Sequence, residues 1–203
     1  MSAYPLMLDG ASLSALVVGG GTVAARKVAA LAEVGADIHV TAPQIDERIV
    51  RLAAGNPRIR VTRAPYDVAL LGNATLVIAA TDDPAINARV ARDARAAGRL
   101  VNVVDAPQLG NCTMPAVHRS GDLVIAVSAG GVPGAAARIR DAIGERFDDR
   151  YTAAIHELAT LRSRLLDEGQ RERWSDAASS LLADDFCQQV ESKRLTAKVA
   201  EWR

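Results

Sequence analysis

Three consecutive glycines in "LVVGGGTVAARKV", running from Leu16 to Val28, constrain this chain more than any other feature. An apolar run precedes them and an alanine-rich stretch follows. The spacing Gly19-x-Gly21-x-x-Ala24 predicts a strand, a tight turn and a helix, in that order. In such a turn the first glycine permits the reversal, and the second lets backbone N–H groups approach a pyrophosphate. The small Ala24 lets the helix pack close to the sheet. An anion would then lie at the helix N-terminus, where unpaired N–H groups and the macrodipole favour it. A glycine turn used only for packing carries the same letters, so the surrounding chain has to decide between the two.

That chain alternates. Apolar runs bounded by Gly, Asp, Asn or Pro predict buried strands over Leu13–Gly19, Asp37–Ala42, Ile59–Ala64, Thr75–Thr81 and Leu100–Asp105. Helix-like stretches lie between them, over Thr22–Val34, Ile45–Ala54 and Pro84–Ala97, with "YDVALLG" read as a single helical turn. This alternation predicts an α/β fold, a Rossmann-like doubly wound parallel sheet covered on both faces. A hairpin is expected from Cys112–His118 and Asp122–Ser128, turning at Ser120-Gly121. Past Tyr151 no strand-like run occurs. Ile155, Leu158, Leu161 and Leu165, then Trp174, Ala177, Leu181 and Leu182, fall at helical spacing and predict amphipathic helices that need a partner surface. The expected organisation is a dinucleotide-binding domain over 1–110, a hairpin segment over 111–150 and an all-helical C-terminal region over 151–203.

Composition bounds the function classes. With 203 residues, 49% of them hydrophobic, the chain can bury a sizeable core. Lys and Arg total 24 and Asp and Glu total 24, so no bulk charge favours nucleic acid. The two cysteines, Cys112 and Cys187, are too few for a disulfide scaffold and fit a reducing compartment. No apolar run reaches the roughly 18 residues that span a bilayer, and the N-terminus has no basic leader. These features predict a soluble cytoplasmic protein that engages neither membrane nor nucleic acid.

Candidate site residues cluster where the strands would end. A ribose-binding acid is expected about 20 residues after the glycines, yet "VTAPQ" (Val40–Gln44) has none, and no basic cluster for a 2′-phosphate either. Backbone groups near Pro43 and the Gln44 amide are candidates instead, and the residues alone leave NAD and NADP open. "AATDDPAIN" and "NVVDAP" end two further strands. Asp105 leaves the sheet just before Ala106-Pro107. A carboxylate there could accept a proton while a cofactor takes a hydride, or it could cap the turn. Thr81 and Asp82 border the same edge, although "TDDP" also reads as a helix cap made by Asp82 or Asp83. Ser128, Gly130 and Gly131 form a flexible loop before a helix, either a second anion site or a plain turn. His39, His118 and His156 are spaced as structural or surface residues, with no metal centre expected, and Cys112 reads as a small buried residue.

Together these motifs resemble the precorrin-2 dehydrogenase/sirohydrochlorin ferrochelatase family, whose members stand alone or form the N-terminal module of sirohaem synthase. The resemblance rests on "YPLMLDG" at Tyr4, "VVGGGTVAARK" at Val17, "LVIAATDDPAIN" at Leu76, "VNVVDAP" at Val101 and "MPAVHRSGDLVIAVSAGG" at Met114. It covers roughly residues 4–145 in order. It implies NAD-dependent oxidation of precorrin-2 to sirohydrochlorin, a step towards sirohaem or cobalamin. Insertion of Fe²⁺ or Co²⁺ into the product is a further implied activity. Thr22-Val23 and Pro43-Gln44 would line the NAD site with Gly19, Gly21 and Ala24. Asp105 matches an aspartate implicated in dehydrogenation and metal insertion, and Ser128 a loop serine near the tetrapyrrole. The resemblance also implies a homodimer formed through the segment over 111–150.

Two departures stand out. The family loop commonly continues with a small residue and "SP", where this chain has Val132-Pro133-Gly134. The tail from Tyr151 to Arg203 also carries no motif that closely matches the family, and with no methyltransferase-like stretch after it precorrin-2 is expected to come from another protein. Arg26, Lys27 and Arg119 are candidate partners for the substrate's carboxylates. The competing reading is an NAD-binding sensor or scaffold without turnover, whose helical tail reports occupancy.

Overall fold

The five apolar runs pair side by side as parallel strands, in a computed structural model that describes residues 3–203. These are β1 (Ser14–Val18), β2 (Asp37–Thr41), β3 (Ile59–Thr62), β4 (Leu76–Ala79) and β5 (Leu100–Val103). Their order is β3-β2-β1-β4-β5. From β3 the chain crosses back over the sheet to pair β4 with β1, so the order reverses beside β1. In an open α/β sheet this is the place where a crevice forms above the strand ends.

Alternation along β1 shows why these runs are apolar throughout. Ala15 and Val17 face one side, packed with Ala24, Ala25, Val28 and Leu31 of α1 (Thr22–Glu33) and Ile49 of α2 (Glu47–Gly55). Leu16 and Val18 face the other side, packed with Val90, Ala91 and Ala94 of α3 (Pro84–Ala96). A strand covered on both faces has no solvent side to spend on polar residues. The "YDVALLG" connection closes as a short 3₁₀ turn over Val68–Leu71, capped by the Asp67 carboxylate.

Two boundaries differ from the sequence expectation. Helix α2 begins at Glu47 because Asp46 takes the N-cap position and accepts from the Arg48 N–H at 2.9 Å. The hairpin is β6 (Ala116–Ser120) with β7 (Leu123–Val127), later and shorter than the stretch from Cys112. Asn111 and Cys112 are tied to β5, both donating to the Val101 carbonyl, and Pro115 has no N–H for a ladder. Gly121, at φ +57°, makes the turn.

The chain divides into two compact units between Met114 and Pro115. In the second, the hairpin is followed by α4 (Pro133–Arg146), α5 (Asp149–Asp167), α6 (Arg171–Leu181), α7 (Phe186–Glu191) and α8 (Leu195–Ala200). Leu158, Leu161 and Leu165 of α5 form a core with Ala177, Leu181, Val190, Leu195 and Val199. The apolar stripe of the tail is thus met from within the tail. Buried Tyr151 keeps its hydroxyl satisfied by donating to Glu191 Oε1 at 3.1 Å. Among the described residues no helix is long and apolar enough to cross a membrane.

Leu165 is fully buried at the centre of that helical core. Leu165→Ala should destabilise the protein by about 2–5 kcal/mol, read from the urea midpoint. Exposed Ile139 on α4 should tolerate alanine within about 0.5 kcal/mol.

Candidate functional site

At the top of β1 the chain turns without side chains, and the three glycines do three different things. Gly19 has φ +126°, and a Cβ there would run into the Ala80 carbonyl beyond β4. Gly20 lies against the Gln44 carbonyl in the β2–α2 loop, where a Cβ would also collide. Its own carbonyl accepts from Asp46 N at 2.7 Å, while Gly19 N donates to Thr41 O at 2.9 Å. Gly21 is different: a Cβ there would meet nothing within 4 Å, and its backbone is extended, which any residue adopts. Packing therefore explains Gly19 and Gly20. Gly21 faces open space at the N-terminus of α1, with no side chain capping it.

That opening suits a dinucleotide. The first-turn N–H groups of α1 point outward uncapped, and α1 carries no acid in its first turn. Ala24 is fully buried and holds the helix against the sheet, Thr22 is exposed and Val23 is half-buried. Pro43 and Gln44 are exposed beside the turn. Asp46, the first carboxylate after β2, is occupied: it caps α2 and pairs with Arg48 through Nε (2.9 Å) and Nη2 (2.7 Å). Those bonds hold it well below the ordinary carboxylate range.

The β4–α3 loop closes the next side of the crevice through a residue that sequence reasoning missed. Buried Asn87 accepts from Thr81 N (3.1 Å) and from Thr81 Oγ1 (2.7 Å), and its amide donates to Thr81 O (2.9 Å). The Thr81 hydroxyl is thereby committed to the loop, leaving that residue's backbone as its contribution to the rim. Asp83 is the cap of α3, accepting from Ala85 N and Ile86 N. Asp82 is left exposed beside it. One signal was readable, an Asn on the first turn after "TDDP", but the partner it staples is visible only in three dimensions.

Asp105 lies one strand further along the same edge, two residues past β5, and is exposed. Its side chain makes no hydrogen bond among the described residues, in contrast to Asp46 and Asp83. Cys112 is half-buried, and burial pushes its thiol up, away from the reactive thiolate. His39 accepts from Arg60 on Nδ1 (3.0 Å) and meets Thr62 Oγ1 through Nε2 (2.8 Å). Burial and Arg60 lower its pKa, so it is a neutral structural residue within the sheet. Among the described residues no three His, Cys, Asp or Glu side chains are grouped to hold a metal ion.

In the second unit, Ser128 is exposed at the end of β7. Gly130 (φ +55°) and Gly131 (φ +86°) adopt left-handed conformations that other residues rarely take. Helix α4 follows with no side-chain cap. His118 Nε2 donates to the Phe147 carbonyl (2.7 Å) and the ring packs under Gly144, which makes it structural. Arg119 is exposed.

Comparison with known proteins agrees with this geometry. Residues 6–116 match a family model described as "Putative NAD(P)-binding". The chain is 39% identical over 165 residues to "Siroheme synthase" of Saccharophagus degradans, covering 81% of this chain and 35% of that protein. It is 42% identical over 154 residues to "Siroheme synthase" of Pseudomonas entomophila, covering 76% of this chain and 32% of that protein. The chain therefore spans only a minor part of the curated relatives it matches. A solved structure, "SirC, precorrin-2 dehydrogenase", superposes with a TM-score of 0.74 at 27% identity, covering 98% of this chain and 100% of that one.

The different surroundings of Gly20 and Gly21 can be separated by mutation. Gly21→Ala should leave the thermal midpoint essentially unchanged and weaken dinucleotide binding about tenfold or more, about 1.4 kcal/mol. Gly20→Ala should instead lower the thermal midpoint, because its methyl has to displace the Gln44 carbonyl.

Proposed function

Because the chain belongs to the NAD(P)-binding family matched by its first unit, we propose that it oxidises precorrin-2 to sirohydrochlorin with NAD⁺ as acceptor. The observation that carries the reading is the open space at Gly21, beneath the uncapped N-terminus of α1 and beside the order reversal of the sheet. The names of the relatives and of the superposed structure support the substrate. A cytoplasmic homodimer assembled through the segment after the sheet is part of the same proposal.

The residues divide the work. Gly19 and Gly20 hold the turn, and Gly21, Thr22 and Val23 present N–H groups to the pyrophosphate. Ala24 keeps those groups in place by locking α1 to the sheet. Pro43 and Gln44 border the adenosine end, and the Thr81 backbone and Asp82 border the nicotinamide end. The nicotinamide, when bound, supplies the hydride acceptor. Two hydrogens leave the macrocycle, one as a hydride and one as a proton. The Asp105 carboxylate takes the proton, which an exposed carboxylate at the crevice rim can pass on to water. Within the second unit by itself, the loop of Ser128, Gly130 and Gly131 leads into the uncapped start of α4, which suits a carboxylate.

The test is anaerobic turnover of precorrin-2 followed by absorbance. The wild type should form sirohydrochlorin only when the nicotinamide acceptor is present. Asp105→Asn should lower kcat by about 10²–10⁴-fold with cofactor Kd unchanged. A wild type that binds the cofactor tightly yet never turns over would favour a sensor and sink the enzyme reading.

A further inference from the structure

A groove of about 440 Å³ opens between α1 and α2, lined by Ala25, Arg26, Ala29, Arg48, Arg51 and Leu52. Its volume is that of a small-molecule site. Ala25, Ala29 and Leu52 make the floor apolar, three guanidinium groups stand around it, and no carboxylate is among the lining residues. Arg26 and Arg51 are exposed. Among the described residues neither forms an ion pair or a side-chain hydrogen bond, whereas Arg48 is bonded to Asp46 and Thr22. Three like charges favour an anion over a neutral ligand, and the floor favours an apolar body over a bare ion.

Arg48 connects this groove with the glycine turn. Its Nη2 donates to Thr22 Oγ1 at 2.8 Å and to Asp46 Oδ2 at 2.7 Å, and its Nε donates to Asp46 Oδ1 at 2.9 Å. Nη1 has no partner among the described residues, so that end of the guanidinium is left for a ligand. Thr22 is the first residue of α1, and Asp46 N donates to the Gly20 carbonyl at 2.7 Å. One side chain thus touches the groove, the start of α1 and the residue that holds Gly20.

We propose that the α1–α2 groove is an effector site for a small polycarboxylate carried on an apolar body, and that its occupation weakens dinucleotide binding at the glycine turn through Arg48. The coupling rests on the Gly21 crevice being the dinucleotide site; the groove stands without it. A carboxylate bonded to Nη1 draws the guanidinium off Thr22 and loosens the first turn of α1. It also brings negative charge towards the uncapped N–H groups that a pyrophosphate would meet. Both effects oppose a second anion at the turn. Arg48 is therefore a positioning residue, and the coupling is reciprocal: the dinucleotide weakens the effector by the same factor.

Calorimetry with trimesate, a benzene ring bearing three carboxylates, tests the site directly. The wild type should bind it with a Kd on the order of 1 mM or tighter, and the neutral triamide of the same acid should not bind. Arg51→Gln should weaken trimesate about threefold or more, the loss of one exposed charge pair, with NAD⁺ affinity unchanged. As trimesate is raised, the Kd of NAD⁺ should climb about fivefold and then level off, and in Arg48→Gln that climb should stay below about twofold. No binding of trimesate, equal binding of the triamide, or undiminished binding by Arg51→Gln overturns the groove as an anion site. A Kd of NAD⁺ that climbs without levelling overturns the coupling, because the two ligands then compete for one place. A wild type that binds trimesate but not NAD⁺ overturns the reading of the Gly21 crevice and the coupling with it, while the groove stands as an anion site.

Discussion

Two close backbone passages at the top of β1 hold the rest of the site in place. Gly19 runs against the Ala80 carbonyl and Gly20 against the Gln44 carbonyl, so the segments following β4 and β2 both close on the same turn. Hydrogen bonds fasten these passages, from Gly19 N to Thr41 O and from Asp46 N to Gly20 O. Interiors packed this closely do not absorb an extra methyl without moving one side. The absent side chains therefore determine where three loops meet, and the meeting place is the open end of α1. A dinucleotide site needs this: N–H groups held still and facing outward, with nothing in front of them.

Polar side chains then stiffen what the glycines bring together. Asn87 is buried and uses both ends of its amide on Thr81, which keeps the β4–α3 loop from drifting. Asp83 and Asp46 are each consumed as helix caps. An ordinary surface loop would leave such groups to water. Here they are satisfied within the protein, so the rim is preorganised. Asp105 is the exception, a carboxylate on the same edge with no partner among the described residues. An unengaged acid beside a set of fully engaged ones is the best single reason for giving it the proton.

The strands and helices of the first unit were legible because burial on both faces demands uninterrupted apolar runs, and those runs end in Gly, Asp, Asn or Pro. The glycine pattern pointed to the turn after β1, and Gly21, its second glycine, is the position left facing open space. It could not reveal that Gly20, the variable position of the motif, is as tightly constrained as Gly19. That constraint comes from Gln44, 24 positions away and brought near only when β2 pairs with β1. The same limit hid Arg48. On a helix it reads as solvated charge, and its contact with Thr22 depends on α1 and α2 lying on one face of the sheet. The hairpin was placed too early because Asn111 and Cys112 bond to β5, a non-local choice that local β-propensity does not encode.

An acid-free adenosine end has a consequence for how this fold divides its labour. Where a free carboxylate binds the ribose, one side chain sets both affinity and the rejection of a phosphate. Here the turn offers only uncapped backbone N–H groups and the helix dipole, which are blind to the 2′ position of a dinucleotide. Discrimination at that position has to come from side chains outside the turn, and Gln44, whose carbonyl lies against Gly20, is the residue brought beside it. Asp46 cannot supply it while Arg48 engages both of its oxygens. Arg48 ties α2 to the start of α1 through Thr22 Oγ1 and holds Asp46, whose N–H bonds the Gly20 carbonyl, so the first turns of the two helices are braced against the glycine turn together.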